Sequence, residues 1–234
     1  MTSRVVVITG AGRGIGRATA LRFAASGDHV VLAARSADEL EAVAAAARAA
    51  GGEATVVPCD VTAEPHVRRL IDTAARLTGR IDVAVASAGG AVVAPFDEIK
   101  LADWELTVRV ALTGTFLLCK HAVSQMQAGG HLFTIASIAG RSGIPSWSAY
   151  SAAKFGVLGF TEAIREELRP RGIRVTAVIP GAVDTPLWDT IPGAWNRANM
   201  LQPDDVARAI ARAADEPPHV SIDEIALGHM AGKL

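Results

Sequence analysis

Tyr150 and Lys154 are the residues whose types and spacing most directly suggest chemistry. They are four positions apart in Tyr150-Ser151-Ala152-Ala153-Lys154, and residues at this spacing lie on one face of a helix. A free tyrosine, with a pKa of about 10, exchanges protons poorly at neutral pH. A nearby ammonium group favours the phenolate and makes the side chain a more useful acid or base. Because Tyr150 is the only tyrosine in the chain, the pair predicts an acid–base site at the start of a helix.

Ser137 precedes Tyr150 at the end of a predicted strand, residues 131–136. Its hydroxyl can donate a hydrogen bond to a carbonyl oxygen and stabilise the negative charge that grows there on reduction. A Tyr-x-x-x-Lys segment is common by itself, and an exposed helical pair is the alternative interpretation. Ser137 strengthens the prediction only if a cofactor site lies elsewhere in the chain.

A glycine-rich loop between a predicted strand, residues 4–9, and a predicted helix, residues 15–26, supplies such a site. Glycines there let the backbone turn tightly and let a pyrophosphate approach the helix N-terminus, whose free N–H groups bind anions. The position after a first strand favours a ligand-binding loop over a plain turn. The predicted cofactor residues of the loop are Gly10, Gly12, Arg13, Gly14, Ile15 and Gly16.

Thr9-Gly10-x-x-x-Gly14-Ile15-Gly16 resembles the cofactor loop of the short-chain dehydrogenase/reductase family. Ser137, Tyr150 and Lys154 fall where that family has its catalytic residues, so the resemblance spans essentially the whole chain. It implies a nicotinamide-dependent oxidoreductase that reversibly reduces a ketone or aldehyde to an alcohol. Tyr150 would be the general acid/base, and Lys154 would also hydrogen-bond the nicotinamide ribose.

The resemblance implies further cofactor contacts at three strand ends. Two residues would edge the adenine ring, a turn would line the ribose side, and a second turn would hold the nicotinamide carboxamide. These residues are, in that order, Asp60 and Val61; Ser87, Ala88 and Gly89; and Pro180, Gly181, Val183 and Thr185. The chain reads Ala86-Ser87-Ala88-Gly89 where the family has Asn-Asn-Ala-Gly, so the contacts of both amides are lost.

NADP(H) is favoured over NAD(H) by the residues near the end of the second predicted strand. Ala34 stands where NAD-preferring relatives carry Asp, and Arg35 follows it. Arg35 and Arg13 of the glycine loop can converge on a 2′-phosphate through charge-assisted hydrogen bonds. Two solvated surface arginines are the alternative interpretation.

One departure from the family concerns proton supply. Val110-Ala111-Leu112-Thr113-Gly114 aligns with a Val-Asn-Leu-x-Gly pattern, and the asparagine helps relatives keep a water in the proton relay behind the lysine. Backbone carbonyls could hold the water, another polar group could substitute, or turnover could be impaired. The alternative function is therefore an NADP(H)-binding sensor or regulator with impaired turnover.

The elements that must position these residues alternate between short β-branched runs and longer helical segments. Predicted strands occupy residues 4–9, 29–33, 54–58, 82–86, 131–136, 174–179 and 221–226, and predicted helices occupy residues 15–26, 37–50, 64–78, 101–127, 149–169 and 203–214. This order predicts a single α/β domain, residues 1–234, with a Rossmann-like doubly wound parallel sheet of about seven strands. The long irregular stretch 180–202 is expected to be functional, with residues 184–202 as its substrate loop.

Two tryptophans of that loop, Trp188 and Trp195, and Trp147 before the catalytic helix are expected to flank the pocket. Packing and substrate contact remain open as their roles. An apolar pocket suits a neutral or weakly polar carbonyl compound, although Arg141 and Arg197 leave a carboxylate possible.

Composition narrows the partners. The 234-residue chain has a formal net charge of −1, which gives no reason to expect nucleic acid or an anionic membrane surface. No run approaches the roughly 20 apolar residues of a membrane span, and Cys59 and Cys119 are expected to be reduced and buried, so a cytoplasmic location is expected. The scattered histidines predict no metal site. By resemblance, the chain is expected to form a homodimer or homotetramer through its two long helices.

Overall fold

A seven-stranded parallel sheet organises the molecule, as a computed structural model of residues 3–232 describes it. Residues 1–2 and 233–234, which the predicted domain includes, lie outside the described residues. The strands are Val5–Thr9 (β1), His29–Ala34 (β2), Glu53–Pro58 (β3), Val83–Ala86 (β4), His131–Ile135 (β5), Arg174–Pro180 (β6) and Glu224–Leu227 (β7). Their spatial order is β3-β2-β1-β4-β5-β6-β7, which confirms the predicted Rossmann-like α/β fold.

Helices cover both faces of the sheet. They are Gly14–Ala25 (α1), Ala37–Ala49 (α2), Glu64–Thr78 (α3), Leu101–Val108 (α4), Gly114–Val123 (α5), Ser148–Leu168 (α6) and Pro203–Ala214 (α7). Successive strand side chains point to opposite faces. Val5 and Val7 therefore join the core under α3, α5 and α6, whereas Val6 and Ile8 join the core under α1, α2 and α7.

The strand order reverses between β1 and β4. This reversal determines where a cofactor crevice can form. Loops leaving two neighbouring strands in opposite directions open a crevice at the carboxyl edge of a parallel sheet. The glycine loop follows β1, the Ser87-Ala88-Gly89 turn follows β4, and Ser137 follows β5. The three segments therefore meet at one edge.

The predicted helix 101–127 forms one helical stretch from Leu101 to Val123, but it ends earlier than predicted and is not α-helical throughout. A π-helical turn, Arg109–Thr113, separates α4 from α5, and α5 ends at Val123. The Gly114 N–H donates to the carbonyl of Arg109, five residues back, instead of the α-helical four, which widens the turn by one residue. Gly114 also packs so closely on Val61 that a Cβ atom there would lie 2.7 Å from Val61 Cγ2.

Most other predicted bounds differ from the structure by at most a single residue, and two further predictions differ by more. The last strand begins at Glu224 rather than at Ser221, because pairing with β6 starts at Ala177 opposite Glu224. The stretch 180–202 is not wholly irregular, since it contains 3₁₀ turns at Pro186–Thr190 and Arg197–Asn199. Its two ends are joined by a parallel bridge between Val183 and Leu201.

One helical stretch of the described chain, Leu101–Val123, is long and apolar enough to cross a membrane by length and composition alone, against the expectation that no run comes close. Leu117, Leu118 and Ala122 of this stretch belong to the hydrophobic core against the sheet. A core helix passes the same test, and this packing accounts for its apolar character.

Candidate functional site

The glycine loop is shaped by close backbone contacts that side chains would block. Gly10 and Gly14 have φ angles of +67° and +56°, a region that side chains disfavour. A Cβ atom at Gly16 would lie 2.2 Å from the Gly10 carbonyl oxygen, and one at Gly10 would lie 2.7 Å from the Ser87 carbonyl oxygen. The loop is thus pressed against the turn after β4.

The first turn of α1 offers free N–H groups at this loop. Arg13 occupies the N-cap position without a capping hydrogen bond from its side chain, and the first turn carries no acidic residue. Uncapped N–H groups at a helix N-terminus form an anion site. Together with the close-packed glycines, they fit the pyrophosphate of a dinucleotide.

The surroundings of the two predicted arginines are mixed in charge. Arg13 and Arg35 are exposed, and within residues 3–232 neither forms an ion pair. The Thr62 amide lowers the pKa of the Asp60 carboxyl by hydrogen bonding, and the charge of Arg35 acts in the same direction. Arg35 therefore lies near the Asp60 carboxylate.

Glu39 is a carboxylate beside the glycine loop that the sequence analysis missed. A Cβ atom at Gly12 would lie 2.6 Å from Glu39 Oε2. The Ser36 hydroxyl accepts a hydrogen bond of 3.3 Å from the Glu39 N–H, which caps α2 and fixes Glu39 in its first turn. Its position three residues into the helix was the only available signal.

Ser137 is held against α6 by a tight turn. It is 8% exposed, and its hydroxyl accepts a 3.2 Å hydrogen bond from the Ala139 N–H. Gly140, at the end of the same turn, touches α6 so closely that a Cβ atom would lie 2.7 Å from the Lys154 carbonyl oxygen. This contact brings Ser137 to the helix that carries Tyr150 and Lys154.

Tyr150 meets Ser137 in the first turn of α6. Burial raises the pKa of Tyr150, and the nearby Ser137 hydroxyl acts in the opposite direction. A hydrogen bond that lowers the pKa of a phenol stabilises its ionised form. Ser137 therefore lies near Tyr150, on the side where it favours the ionised phenol.

Lys154 lies buried on α6 beside Tyr150. Its ammonium donates a 2.6 Å hydrogen bond to the Ile135 carbonyl and lies 5.5 Å from the centre of the Tyr150 ring. Burial lowers the pKa of Lys154 to about 8. A buried cation needs a polar partner, and the end of β5 provides one. The ammonium thus lies beside the tyrosine ring.

The turns after β4 and β6 reach the same place. A Cβ atom at Gly89 would lie 4.0 Å from Lys154 Nζ, and one at Gly14 would lie 3.1 Å from Thr185 Cγ2. The predicted ribose-side turn and the predicted carboxamide turn therefore flank the lysine and the glycine loop respectively.

The other predicted cofactor residues, after β3 and β6, take part in the sheet and in the hydrophobic cores. Pro180 ends β6, and the Gly181 N–H donates a 2.8 Å hydrogen bond to the Leu227 carbonyl. The side chains of Val183 and Val61 belong to the two hydrophobic cores. Any contact of these two valines with a cofactor would therefore come from their backbone.

Ala111 lies in the π-helical turn and is buried. Its carbonyl accepts a 2.7 Å hydrogen bond from the Thr115 hydroxyl. A polar side chain thus approaches the backbone at this position, although it comes from the following turn of the helix. This contact was not predicted, because Thr115 stands outside the family pattern.

The loop after β6 is fastened by Arg197, another residue whose role the sequence left open. Its guanidinium donates 2.5 Å hydrogen bonds to Asp184 and Asp189 and a 2.9 Å hydrogen bond to the Thr185 carbonyl. Arg141 is likewise paired, with Glu224. Both arginines that left a carboxylate substrate open are therefore engaged by groups of this chain.

Among residues 3–232, no three His, Cys, Asp or Glu side chains come together in a way that could hold a metal ion. Cys59 and Cys119 are free and buried in the core.

The family model and two curated relatives that match this chain are all oxidoreductases, and their matches cover most of its length. A family model described as short chain dehydrogenase matches residues 4–194. A 3-oxoacyl-[acyl-carrier-protein] reductase of Synechocystis sp. is 40% identical over 230 residues, which cover 93% of this chain and 91% of the relative. An uncharacterized oxidoreductase of Staphylococcus aureus (strain MRSA252) is 36% identical, with 96% of each chain covered.

Solved structures of related oxidoreductases share the fold of this chain. An alcohol dehydrogenase from the archaeon Thermococcus sibiricus, complexed with 5-hydroxy-NADP, superposes with a TM-score of 0.92 at 28% identity, covering 100% of this chain and 99% of that one. A metagenomic short-chain oxidoreductase in complex with NADP has a TM-score of 0.84 at 33% identity, with 96% of both chains covered.

Proposed function

Because the chain belongs to the short-chain dehydrogenase family and is an oxidoreductase that acts on CH–OH or carbonyl groups, we propose that it reversibly reduces a ketone or aldehyde with NADP(H). Tyr150 is the general acid/base in this proposal. The observation that carries it is the convergence of three side chains: the turn that bears Ser137 packs on α6 at Lys154, and the buried Lys154 ammonium lies 5.5 Å from the centre of the Tyr150 ring.

The cofactor, when bound, supplies the hydride that forms the new C–H bond or accepts it in the reverse direction. Tyr150 gives its proton to the carbonyl oxygen, which becomes the alcohol O–H. Ser137 donates a hydrogen bond to that oxygen while negative charge grows on it. Lys154 holds positive charge next to the tyrosine and offers its remaining N–H groups to a ribose. In alcohol oxidation Tyr150 takes the proton back.

The preference for NADP(H) rests on Arg13 and Arg35. Both are exposed and can turn toward a 2′-phosphate, and the two structural relatives described above carry NADP or its 5-hydroxy derivative. Glu39 works against this preference, because a carboxylate near the loop repels a phosphate. We propose that the two guanidinium charges outweigh it.

The cofactor proposal is tested by titration. Arg35→Ala should weaken NADPH binding about tenfold or more and change NADH binding much less, since a charged hydrogen bond to phosphate is lost. Equal affinity of the unmodified protein for NADPH and NADH would overturn it.

The reaction is tested by following NADPH absorbance with a panel of ketones and aldehydes. Turnover by the unmodified protein should fall by about 10²- to 10⁴-fold in Tyr150→Phe, because the general acid is removed. No turnover with any carbonyl compound, despite tight NADPH binding, would instead support the sensor or regulator, which Ala111 and the altered Ala86-Ser87 turn favour.

The substrate loop and the assembly complete the proposal. Residues 3–232 act as one unit in which 184–202 is the substrate loop. The exposed apolar side chains of Leu101, Phe116 and Phe155 lie on α4, α5 and α6. We propose that these helices pair in a homodimer or homotetramer.

A further inference from the structure

The loop after β6 and the catalytic helix together form a row of aromatic rings. Trp147 meets Tyr150 edge-on with ring centres 5.5 Å apart, Trp188 follows at 5.9 Å from Trp147, and Trp195 follows at 4.8 Å from Trp188. Trp147 is nearly buried, whereas Trp188 and Trp195 are partly exposed. The row therefore leads from the tyrosine that we propose as the acid to solvent.

The row is also tied to the turn that faces the glycine loop. The Trp188 indole N–H donates a 2.9 Å hydrogen bond to the Val183 carbonyl, two residues before Thr185, which contacts Gly14. Trp188 is thus bonded to the turn after β6 on one side and packs on Trp147, the neighbour of Tyr150, on the other. A molecule lying on Trp188 would therefore be close to the region where the turn and the catalytic helix meet.

The polar atoms of the two exposed tryptophans are already used. The Trp195 indole N–H donates a 3.3 Å hydrogen bond to the Ile191 carbonyl, as that of Trp188 does to Val183. What the two side chains offer to a ligand is therefore ring surface. Aromatic rings bind other rings in offset or edge-on arrangements, beyond the effect of buried area.

The charges around the row oppose an anion. Arg197 is shared between Asp184 and Asp189, so one guanidinium faces two carboxylates and the cluster keeps one negative charge. Arg141 is neutralised by Glu224. A substrate carboxylate would find no free cation among these residues and would be repelled by the aspartates.

The loop is fixed before any ligand arrives. Leu201 pairs with Val183 at its base, where the Asp184 N–H donates a 2.8 Å hydrogen bond to the Leu201 carbonyl. Arg197 joins the segment 184–189 from the opposite side of the loop. A preformed surface loses little conformational freedom on binding.

From these observations we propose that the substrate is an uncharged carbonyl compound bearing an aromatic ring, bound against Trp188 and Trp195; this proposal rests on the reductase function proposed above.

Three ketones at saturating NADPH test the proposal: acetophenone, 2-butanone and 4-acetylbenzoate. We expect kcat/KM for acetophenone to exceed the values for the other two at least about tenfold. Trp188→Ala and Trp195→Ala should each lower the ratio of acetophenone to 2-butanone by about three- to tenfold, the size of one aromatic contact. Trp104→Ala, which removes the remaining tryptophan of the chain on α4, is the matched control and should leave the ratio unchanged.

A binding measurement separates this proposal from the function on which it rests. Tyr150→Phe loaded with NADPH should bind acetophenone more tightly than 4-acetylbenzoate, with quenching of tryptophan fluorescence that is weaker in Trp188→Ala. If the unmodified protein turned over none of the three ketones while this binding pattern was observed, the reductase function would be overturned and the aromatic subsite supported. Equal kcat/KM for acetophenone and 4-acetylbenzoate would overturn the aromatic subsite but not the reductase function. An acetophenone to 2-butanone ratio that is unchanged in both tryptophan variants would do the same.

Discussion

The Lys154 ammonium is enclosed by protein, and the Ile135 carbonyl is its hydrogen-bond partner. Burial lowers its pKa to about 8, so the proton is held weakly for a lysine. Tyr150 is shifted in the opposite direction, because burial disfavours its charged form. The two shifts bring the pKa of an amine toward neutrality and leave the phenol protonated, which is the state that a proton donor needs in carbonyl reduction.

The lowered pKa of Lys154 predicts a pH dependence of stability. The unfolded lysine keeps its proton up to about pH 10.5, whereas the folded one loses it near pH 8. Unfolding therefore takes up a proton between these values, and the free energy of unfolding should rise with pH there, by about 3 kcal/mol in all. The measurement is urea unfolding from pH 7 to 10.5 for the unmodified protein and for Lys154→Met.

The difference between these two proteins isolates the lysine. Burial raises the pKa of Cys59 to about 11 and that of Cys119 to about 12, so the thiols lower stability with rising pH in both proteins equally. A difference that stays constant across the range would contradict the lowered pKa of Lys154.

Ser137→Ala should act on both rate and pH profile. Loss of one hydrogen-bond donor to the developing oxyanion is expected to lower kcat about 10²-fold or more. Because the serine hydroxyl lowers the pKa of Tyr150, the rise of alcohol oxidation with pH should also move to higher pH. Ser142→Ala, at an exposed position past the same turn, is the control. A rate loss without any displacement of the pH profile would argue against the contact with Tyr150.

The helical elements around the site show which parts of this arrangement a sequence can reveal. Ser137, Tyr150 and Lys154 were predictable because strand ends and helical spacing are local patterns. The π-helical turn was not, because no local pattern marks it. The close approach of Gly114 to Val61, fifty-three positions earlier in the chain, is likewise visible only in the folded chain. The apolar runs predicted the first and last residues of each strand to within about three positions, which is the usual uncertainty of such predictions.

The loop after β6 shows the same limit. Its tryptophans were visible in the sequence, but their order in a row is set by contacts between α6 and the loop. The pairing of Arg197 with Asp184 and Asp189 likewise needs the loop to fold back on itself. Charged residues in an irregular stretch carry no periodicity from which partners can be deduced.

Ala111 in the π-helical turn is where proton supply can be tested. Ala111→Asn should raise turnover if the family asparagine assists a proton relay, at a cost of about 1–3 kcal/mol in stability, because the position is tightly packed. Ala111→Val controls for added volume without the amide. Steady-state kinetics across pH and thermal unfolding give the two readouts. Turnover that Ala111→Asn leaves unchanged at every pH would show that proton supply does not depend on this position.

At the scale of the whole molecule, one parallel sheet places every proposed participant at its carboxyl edge, while α4, α5 and α6 leave apolar side chains on the outside. Phe155 of α6 is 47% exposed, and burial of such a ring against a second copy would be favourable.

Phe155→Glu should therefore break the assembly, because a buried unpaired carboxylate is strongly unfavourable at an interface. Light scattering should give a dimeric or tetrameric mass for the unmodified protein and a smaller mass for the variant. Leu77→Glu, at a similarly exposed position on α3, should keep the original mass. A monomeric unmodified protein would refute the proposed pairing.

The central claim is that this chain moves a hydride between NADPH and a carbonyl carbon with Tyr150 as the acid. The most direct test incubates the protein with acetophenone and, in separate reactions, with each of the two NADPH epimers deuterated at C4. The mass of the alcohol product is then measured by mass spectrometry. The account predicts one deuterium in the alcohol from one epimer, and at least about 100-fold slower formation with Tyr150→Phe. An alcohol that contains no deuterium from either epimer, or equal rates in the two proteins, would contradict it.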